Sequence, residues 1–338
     1  MNKHCLVCLE AGVNHNGDLE RAKELIRKAS WAGADMIKFQ LYKAGTLVTK
    51  KAPKFWNWEG DKDKSTQYEA YDALDNLPWE QYPELIKCCE ENHIEFLCTP
   101  FDFEAVDYLD SIGMKAFKVA SSDLTYLPFL KYIARKKKPI YLSTGAATLG
   151  EIEEAVETIK SAGNKKIILL HCTLCYPTKP EDANLRIILT LKRLFPDLKI
   201  GISDHTLGTT IPIAAIALGA EIIEKHFTID KTLPESADHW LSIDHNEAKD
   251  MIEKIRQVEM AMGSDIKKVF PCEKETRKWD KRSIVANRDI KKGEIFTPEN
   301  LICKRPGTGI PPKFLPILYG KKARQNFKED TIMIWKKI

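Results

Sequence analysis

Short apolar runs alternate with longer amphipathic stretches along most of the chain. Each apolar run has the length and composition of a buried strand, and each following stretch has the period of an amphipathic helix. Several of these helices end in Ala-Gly or Leu-Gly, a common helix stop signal. The predicted strands cover residues 5–12, 35–40, 94–100, 116–122, 139–145, 166–172, 199–205 and 221–227.

Eight strand–helix units in about 260 residues predict a (β/α)8 TIM barrel, an α/β fold. A doubly wound open sheet is the structural alternative. It is not favoured, because no G-x-G-x-x-G follows the first predicted strand.

Polar side chains gather where the predicted strands end. Barrel active sites are built at the carboxyl ends of the strands, and residues two apart on a strand share a face. We therefore expect one shared cavity at this rim. The candidate residues are Glu10, Lys38, Gln40, Thr99, Lys118, Ser121, Ser143, Ser203, His205, Glu224 and His226.

Two lysines, Lys38 and Lys118, are predicted to converge on this rim with several hydroxyl groups. Two fixed cations with hydroxyl donors are suited to a small, highly charged anion such as a phosphorylated carboxylate. Either lysine taken alone would be interpreted as a solvated surface charge. As a pair they favour a ligand role.

His205 and His226 are the histidines that end adjacent predicted strands on the inward face. Two neutral imidazoles can hold a metal ion and leave positions open for water and substrate oxygens. Such a site is suited to Lewis-acid chemistry, and Glu224 could orient His226. Glu10 is a candidate base for a water molecule, and pairing of its carboxylate with one of the lysines is nearly as well supported.

Composition narrows the class of protein. A net charge of +4 from 52 basic and 48 acidic residues does not favour nucleic-acid binding. Nine cysteines in a long chain do not resemble a disulfide framework, and the lone pair Cys172 and Cys175 is interpreted as structural. The longest apolar run is too short to span a bilayer, so we expect a cytoplasmic protein.

The last part of the chain changes in composition. Residues 1–265 form the predicted barrel domain, residues 266–281 a linker, and residues 282–338 a small domain of short strands and turns. Within the small domain, "ANRDIKKGEIF" (286–296) aligns without gaps to "ARQNFKEDTIM" (323–333). This internal similarity predicts two related strand–turn–strand units.

Several segments of the chain resemble the sialic acid synthase (N-acetylneuraminate synthase) family over nearly its whole length. They include "EAGVNHNGDLERAKELI", "FKVASSDLTYLP", "GISDHTLG" and "ALGAEIIEKHFTID". The resemblance implies condensation of phosphoenolpyruvate with N-acetylmannosamine or a related sugar, with C–O bond cleavage and release of phosphate. It also implies that the tail is an antifreeze-like (SAF) domain, with "KRPGTG" as its signature.

The family resemblance also implies residue roles. His205 and His226 match the ligands of a divalent ion, most often manganese, with magnesium or cobalt as alternatives, and Glu10 matches the carboxylate near the attacking water. The phosphoenolpyruvate contacts match Lys38, Thr99, Lys118, Ser121, Ser143 and Ser203. The sugar-binding positions match Gln40, Asp123, Tyr176, Asp238, Trp279 and Arg305.

In the family, the arginine that matches Arg305 reaches the partner subunit's active site, which implies a domain-swapped homodimer. Asp123 stands where the better-known N-acetylneuraminate synthases carry Glu, Leu174 stands where some carry Asn, and residues 41–74 also differ. N-acetylmannosamine, giving N-acetylneuraminate, is the predicted sugar, but these differences leave two alternatives open: its 6-phosphate, or a 2,4-diacetamido-2,4,6-trideoxyhexose leading to legionaminic or pseudaminic acid.

Two other classes of function remain as alternatives. A metal-dependent aldolase would need no phosphoenolpyruvate and would release no phosphate. A catalytically inactive barrel with a carbohydrate-binding tail is less favoured, because an inactive barrel usually loses its base or its ligands. None of Glu10, Lys38, Lys118, His205 and His226 is missing.

Overall fold

A computed structural model describes residues 4–54, 56, 66–74, 77–233 and 238–338. The chain divides into two compact units, Met1–Gly263 and Ser264–Ile338. Among the described residues, no helix combines the length and the apolar character needed to cross a membrane. Residues 55 and 57–65 of the 41–74 segment lie outside the described residues.

The first unit contains an eight-stranded parallel sheet within the described residues, with strand order β3-β2-β1-β8-β7-β6-β5-β4. Strands β3 and β4 lie side by side and close the ring, so the predicted (β/α)8 barrel is confirmed. The strands are β1 Leu6–Gly12, β2 Met36–Leu41, β3 Glu95–Pro100, β4 Phe117–Val119, β5 Ile140–Ser143, β6 Ile167–Cys172, β7 Lys199–Asp204 and β8 Ile222–His226.

Helices follow the strands, as the amphipathic pattern predicts. The first helix has a cap at each end: the Asp18 carboxylate accepts two backbone N–H groups at its start, and Gly33 ends it with a positive φ of 89°. The helices of the first unit are α1 Leu19–Ala32, α2 Ala44–Leu47, α3 Gln67–Leu74, α4 Tyr82–Glu91, α5 Phe103–Ser111, α6 Leu127–Arg135, α7 Leu149–Ser161, α8 Ile187–Leu194, α9 Thr210–Ala217, α10 Asp238–Leu241 and α11 His245–Met262.

Two apolar layers hold the barrel together, since successive strand residues point to opposite faces. The outward residues pack against the helices and form the larger layer, which includes Leu9 and Ile37. The inward residues fill the interior below the rim: Cys8, Met36, Leu97, Ala116, Tyr141, Ile168, Leu170 and Ile222. Because that interior is filled, the open space of the barrel lies at the carboxyl rim, above these side chains.

The second unit has its own apolar core, which includes Ile284, Phe296 and Phe327. Its elements are α12 Lys274–Asp280, β9 Ser283–Ala286, β10 Leu301–Lys304 and α13 Leu315–Leu318, with β9 and β10 antiparallel. Helix α12 therefore lies inside the stretch that the sequence predicts as a linker.

The two similar segments of the second unit make matching hydrogen bonds. Ile290 and Phe327 occupy equivalent positions and exchange both backbone bonds with each other, at 2.8 Å. Ala286 bonds Asp330 and Thr331, and its equivalent Ala323 bonds the equivalent residues Gly293 and Glu294. The internal similarity in the sequence therefore corresponds to a local twofold arrangement of the backbone.

Candidate active site

A cavity of about 410 Å³ lies at the carboxyl ends of the barrel strands. Asp123 is not among its lining residues, and Trp279 and Arg305 belong to the second unit. Strand β4 ends at Val119, so Ser121 starts a 3₁₀ turn instead of ending the strand. The predicted site residues that line the cavity are Glu10, Lys38, Gln40, Thr99, Lys118, Ser121, Ser143, Tyr176, Ser203, His205, Glu224, His226 and Asp238.

Glu10 is the centre of one charged group in the cavity. Parallel register places it opposite both Lys38 on β2 and His226 on β8. Its Oε1 atom lies 2.7 Å from Lys38 Nζ and accepts a hydrogen bond from Gln40 Nε2 at 2.8 Å. Its other oxygen, Oε2, is buried without a hydrogen-bond partner in the described structure. The carboxylate is thus paired with a lysine and still has one oxygen directed at a ligand or water.

Glu224 links the two lysines. Its Oε1 atom lies 3.5 Å from Lys118 Nζ and 3.8 Å from Lys38 Nζ, and it accepts a hydrogen bond from Ser203 Oγ at 2.9 Å. Burial alone would raise the pKa of Glu224, but the two lysines outweigh burial and hold that pKa well below its ordinary value. Both lysines are buried, and a carboxylate holds them in place.

Lys38 remains protonated under all ordinary conditions. Burial acts to lower the pKa of its ammonium group, but Glu10 and Glu224 together raise that pKa above its ordinary value. Lys38 Nζ also donates to Thr99 Oγ1 at 3.3 Å. The buried Ser143 Oγ has no protein partner in the described structure and is available to a ligand.

The two histidines lie next to each other among the residues that line the cavity. Their ring centroids are 5.3 Å apart and both rings are buried. His205 Nδ1 lies 3.0 Å from the carbonyl oxygen of Thr173, which can only accept, so Nδ1 carries the proton and Nε2 carries the lone pair. Burial and the neighbouring His226 lower the pKa of His205 to about 3, so its imidazole is neutral at physiological pH.

Asp238 is the carboxylate next to His226, and this corrects the expectation that Glu224 orients the ring. Asp238 Oδ2 lies 3.4 Å from His226 Nδ1, whereas Glu224 contacts Ser203 and the lysines. Burial opposes protonation of His226, but Asp238 outweighs it and raises the pKa of His226. Tyr176 lies over His205 with ring centroids 4.1 Å apart.

The two imidazoles fit the predicted metal site in chemical terms. His205 has its lone pair on Nε2, and His226 lies beside it. Asp238 Oδ2 lies 3.4 Å from His226 Nδ1, which has no hydrogen-bond partner in the described structure. Among the described residues no group of three or more His, Cys, Asp or Glu side chains could hold a metal ion. Two imidazoles would leave the remaining positions to water or substrate oxygens.

Asp123 and Cys172 have surroundings that the sequence does not indicate. Asp123 is largely buried, its Oδ2 has no hydrogen-bond partner in the described structure, and burial raises its pKa to about 6. Cys172 lines the cavity, with its sulfur 3.9 Å from His205 Nδ1, while Cys175 is exposed. Burial raises the pKa of the Cys172 thiol to about 11, so it is a neutral wall of the cavity.

The cavity has many apolar lining residues, called the apolar wall below, and the sequence motifs do not indicate them. Some belong to the described part of the 41–74 segment, where the Tyr71 ring lies edge-on to Tyr42 and tilted to Trp56, with centroids 5.5 Å apart in both pairs. The only signal in the sequence is the aromatic content of that segment, and aromatic content alone does not predict which of these side chains face the cavity. The apolar lining residues are Val13, Tyr42, Leu47, Val48, Trp56, Tyr71, Leu74, Phe101, Leu174, Trp240 and Leu241.

The two predicted residues of the second unit are exposed and paired locally. Trp279 Nε1 donates to Glu275 at 2.8 Å, and Arg305 Nη1 lies 2.6 Å from Asp280 Oδ1. The Arg305 side chain is 64% exposed. An exposed arginine is available to a partner or ligand, because surface ion pairs are weak.

A parallel eight-stranded barrel with buried ionisable groups at its carboxyl rim is the arrangement of a (β/α)8-barrel enzyme. The family model described as "NeuB family" matches residues 25–267, and the "SAF domain" model matches residues 281–338. The chain belongs to the NeuB family and carries a C-terminal SAF domain. The predicted family resemblance is therefore confirmed.

Several relatives are named as sugar-acid synthases. The N,N'-diacetyllegionaminic acid synthase of Campylobacter jejuni is 44% identical over 98% of this chain and 99% of its own. The human N-acetylneuraminate-9-phosphate synthase is 35% identical over 97% of this chain and 91% of its own. The crystal structure of the spore coat polysaccharide biosynthesis protein SpsE from Bacillus subtilis superposes with a TM-score of 0.67, at 36% identity over 99% of this chain and 95% of that one.

Proposed function

We propose that this protein condenses phosphoenolpyruvate with the open-chain aldehyde of an N-acetylated amino sugar, producing a nonulosonic acid and phosphate. The observation that carries the proposal is that one cavity is lined by two buried lysines, Lys38 and Lys118, and two buried histidines, His205 and His226. An anion bound by the lysines and an aldehyde bound near the histidines would then share that cavity.

Phosphoenolpyruvate is suited to the part of the cavity lined by Lys38 and Lys118. Two ammonium groups held by Glu224 can attract phosphate and carboxylate oxygens, and the hydroxyl groups of Thr99, Ser143 and Ser203 can donate to them. Because these groups are buried, their interaction with an anion is stronger than it would be in water. They are also fixed in advance, which lowers the cost of orienting the anion.

Glu10 is assigned to the water molecule of the reaction. Its unpartnered Oε2 can accept a hydrogen bond from a water and hold that water against C2 of phosphoenolpyruvate. In the overall reaction C3 bonds to the aldehyde carbon, the water oxygen bonds to C2, and the C2–O bond to phosphate breaks. The water loses two protons: one is gained by the aldehyde oxygen, and the other leaves with the phosphate as C2 becomes a carbonyl.

His205 and His226 would hold a divalent cation, with manganese as the expected ion. Such an ion, when bound, would polarise the aldehyde as a Lewis acid. The protein residues have separate tasks around it. Thr173 fixes the tautomer of His205, the Asp238 carboxylate attracts the His226 ring, and the Tyr176 ring packs against His205.

We further propose that the sugar is a 2,4-diacetamido-2,4,6-trideoxyhexose, with N-acetylmannosamine as the alternative. The apolar wall favours a sugar with a C6 methyl group and a second acetamido group over one with more free hydroxyls. N-acetylmannosamine 6-phosphate is less favoured, because Lys38 and Lys118 are the only Lys or Arg side chains among the described lining residues. The relative with 44% identity is named for a diacetylated product, which agrees with this choice.

Release of phosphate from phosphoenolpyruvate is the test of the reaction. The protein is incubated with Mn²⁺ and each candidate sugar, and inorganic phosphate is measured. We expect phosphate release that depends on both the sugar and the metal, with EDTA as the control. If no sugar in the panel supports phosphate release, the condensation proposal is wrong. A sugar-phosphate cleavage assay then tests the aldolase alternative.

The same panel of candidate sugars tests which sugar is the preferred substrate. We expect kcat/KM to be highest for the diacetamido-trideoxyhexose and about tenfold or more lower for N-acetylmannosamine. A few extra apolar contacts lower the free energy of the bound transition state by about 1–3 kcal/mol. Leu74→Asn is the matched variant, because it makes the apolar wall polar without changing any charge. A preference for N-acetylmannosamine in the unaltered protein would overturn the choice of sugar and leave the reaction intact.

The second unit enters the proposal through a second copy of this chain. We infer that Arg305 and Trp279 contact the acyl group of the sugar in the partner's cavity, in a domain-swapped homodimer. The exposed Arg305 guanidinium supports this role, since its contact with Asp280 is a surface ion pair. Sedimentation and a sugar KM measurement on variants of Arg305 are the tests.

A further inference from the structure

A second ion pair lies directly behind the two histidines, on the outer side of the sheet. Asp204 precedes His205 on β7, and Lys225 precedes His226 on β8, so both point away from the cavity. Asp204 and Lys225 are partners in the β7–β8 register. Only 4% of Asp204 and 1% of Lys225 is exposed.

The contacts of this pair enclose the backbone that carries His205. Lys225 Nζ lies 2.6 Å from Asp204 Oδ2 and donates to the carbonyl oxygen of Thr206. Asp204 in turn accepts from Thr206 Oγ1 at 2.9 Å and from the Thr206 backbone N–H at 3.2 Å. His205 therefore lies between Asp204 and Thr206. These two residues are hydrogen-bonded to each other and to Lys225 on β8, the strand that carries His226.

The outward positions of other strands are filled differently. Leu9 on β1 is the register partner of Lys225, and Ile37 on β2 is the register partner of Leu9. Both Leu9 and Ile37 are apolar and fully buried. Replacing a buried ion pair with apolar residues of similar volume is often neutral or stabilising. Stability alone therefore does not explain why charges occupy these two outward positions next to the two histidines.

We propose that the Lys225–Asp204 pair is a positioning device that sets the separation of the His205 and His226 imidazoles for a shared divalent cation. The inference rests on the two-histidine site of the proposed function. Lys225 and Asp204 touch neither substrate nor cation. They act through the backbone, as outer partners of metal ligands do in many proteins.

The experiment compares Lys225→Met, Asp204→Asn and the double variant in the full chain. Mn²⁺ affinity is measured by isothermal titration calorimetry, and stability by thermal unfolding. We expect each single variant to bind Mn²⁺ at least about tenfold more weakly. In the double variant no buried charge is left unpaired, so stability should recover while Mn²⁺ affinity stays low.

Arg256→Met provides the matched control at the opposite end of the barrel. Arg256 on α11 lies 3.4 Å from Asp35 and 3.2 Å from Glu259, and its side chain is 23% exposed. We expect this variant to lose stability with Mn²⁺ affinity within about twofold of the unaltered protein, because the pair does not touch β7 or β8 near the histidines. Thr206→Val removes one contact of Asp204 without leaving a charge unpaired, and should weaken Mn²⁺ binding by a smaller factor.

Different outcomes separate this inference from the proposed function. If the double variant regains both stability and Mn²⁺ affinity, or if the single variants bind Mn²⁺ as the unaltered protein does, the positioning role is overturned. If the unaltered protein binds Mn²⁺ and the variants do not, but no sugar supports phosphate release, the condensation is wrong and the positioning role stands.

Discussion

The barrel rim and the second unit hold their charged residues in opposite ways. At the rim, Lys38, Glu10 and Glu224 are buried and lie within 4 Å of one another in a chain of contacts. In the second unit, Arg305 and Asp280 form a contact of 2.6 Å, with both side chains more than half exposed. Ion pairs of similar length therefore differ in interaction energy, because water screens the Arg305–Asp280 pair and does not screen the buried Lys38–Glu10 pair.

This difference separates two kinds of function. Buried charges that fix one another are suited to binding an anion in a set geometry, since no reorganisation is needed when the ligand arrives. Exposed charges with one local partner can exchange that partner for a ligand at little cost. The rim is therefore the place to look for chemistry, and the second unit is the place to look for contacts that form on assembly.

The largest effect is expected from Lys38→Met. This change leaves Glu10 buried without its cation, which costs about 3–5 kcal/mol in the free energy of unfolding. We also expect phosphate release to fall at least about a hundredfold, because one of two fixed cations at the anion is lost. Urea unfolding and the phosphate assay measure the two effects. Lys254→Met, which removes an exposed pair with Asp250, is the control, and an equal cost in both variants would contradict a buried coupled cluster.

Acidification should destabilise the barrel through His15. Burial, with Arg21 nearby, lowers the pKa of His15 to about 4 from its ordinary value of 6.5, and His15 Nδ1 accepts the backbone N–H of Gly17. As pH falls from 6.5 to 4 the unfolded chain takes up the proton first, so stability decreases over this window by about 3 kcal/mol.

The variant His15→Asn isolates this effect, because the Asn oxygen can accept the same Gly17 N–H and does not titrate. We expect the difference in unfolding free energy between variant and unaltered protein to change with pH only between 4 and 6.5. A difference that is constant across this window would show that His15 is not the titrating group.

A smaller effect is expected from Arg305→Ala in the second unit. We expect the KM for the sugar to rise about tenfold, the loss of one charged hydrogen bond, with the KM for phosphoenolpyruvate unchanged. Arg288→Ala is the control, since Arg288 forms an exposed pair with Glu294 in the same unit. An unchanged sugar KM would count against the domain-swapped arrangement.

The smallest effect is expected from Lys328→Met. Lys328 lies 2.7 Å from Asp289, and its side chain is 87% exposed. Water and salt screen such a pair, so the urea midpoint should stay the same within error. A clear decrease would mean that distance alone determines the strength of these pairs, and the contrast with the rim would fail.

The sequence alone determined the barrel and the face on which each rim residue lies. Both follow from local rules: helix and strand periods mark the elements, and alternation along a strand assigns a side chain such as His205 or Lys38 to the interior. The similarity of residues 286–296 and 323–333 likewise predicted two related strand–turn–strand units. These properties need no knowledge of which strands become neighbours.

Only the tertiary structure decided which side chains meet. It placed Asp238 instead of Glu224 beside His226, tied Glu224 to Lys118, and joined Lys225 to Asp204 behind the histidines. It also brought described residues of the 41–74 segment, such as Trp56 and Tyr71, to the cavity. Such contacts join residues far apart in the chain, and they depend on strand register, closure of the barrel and loop paths, which no local pattern encodes.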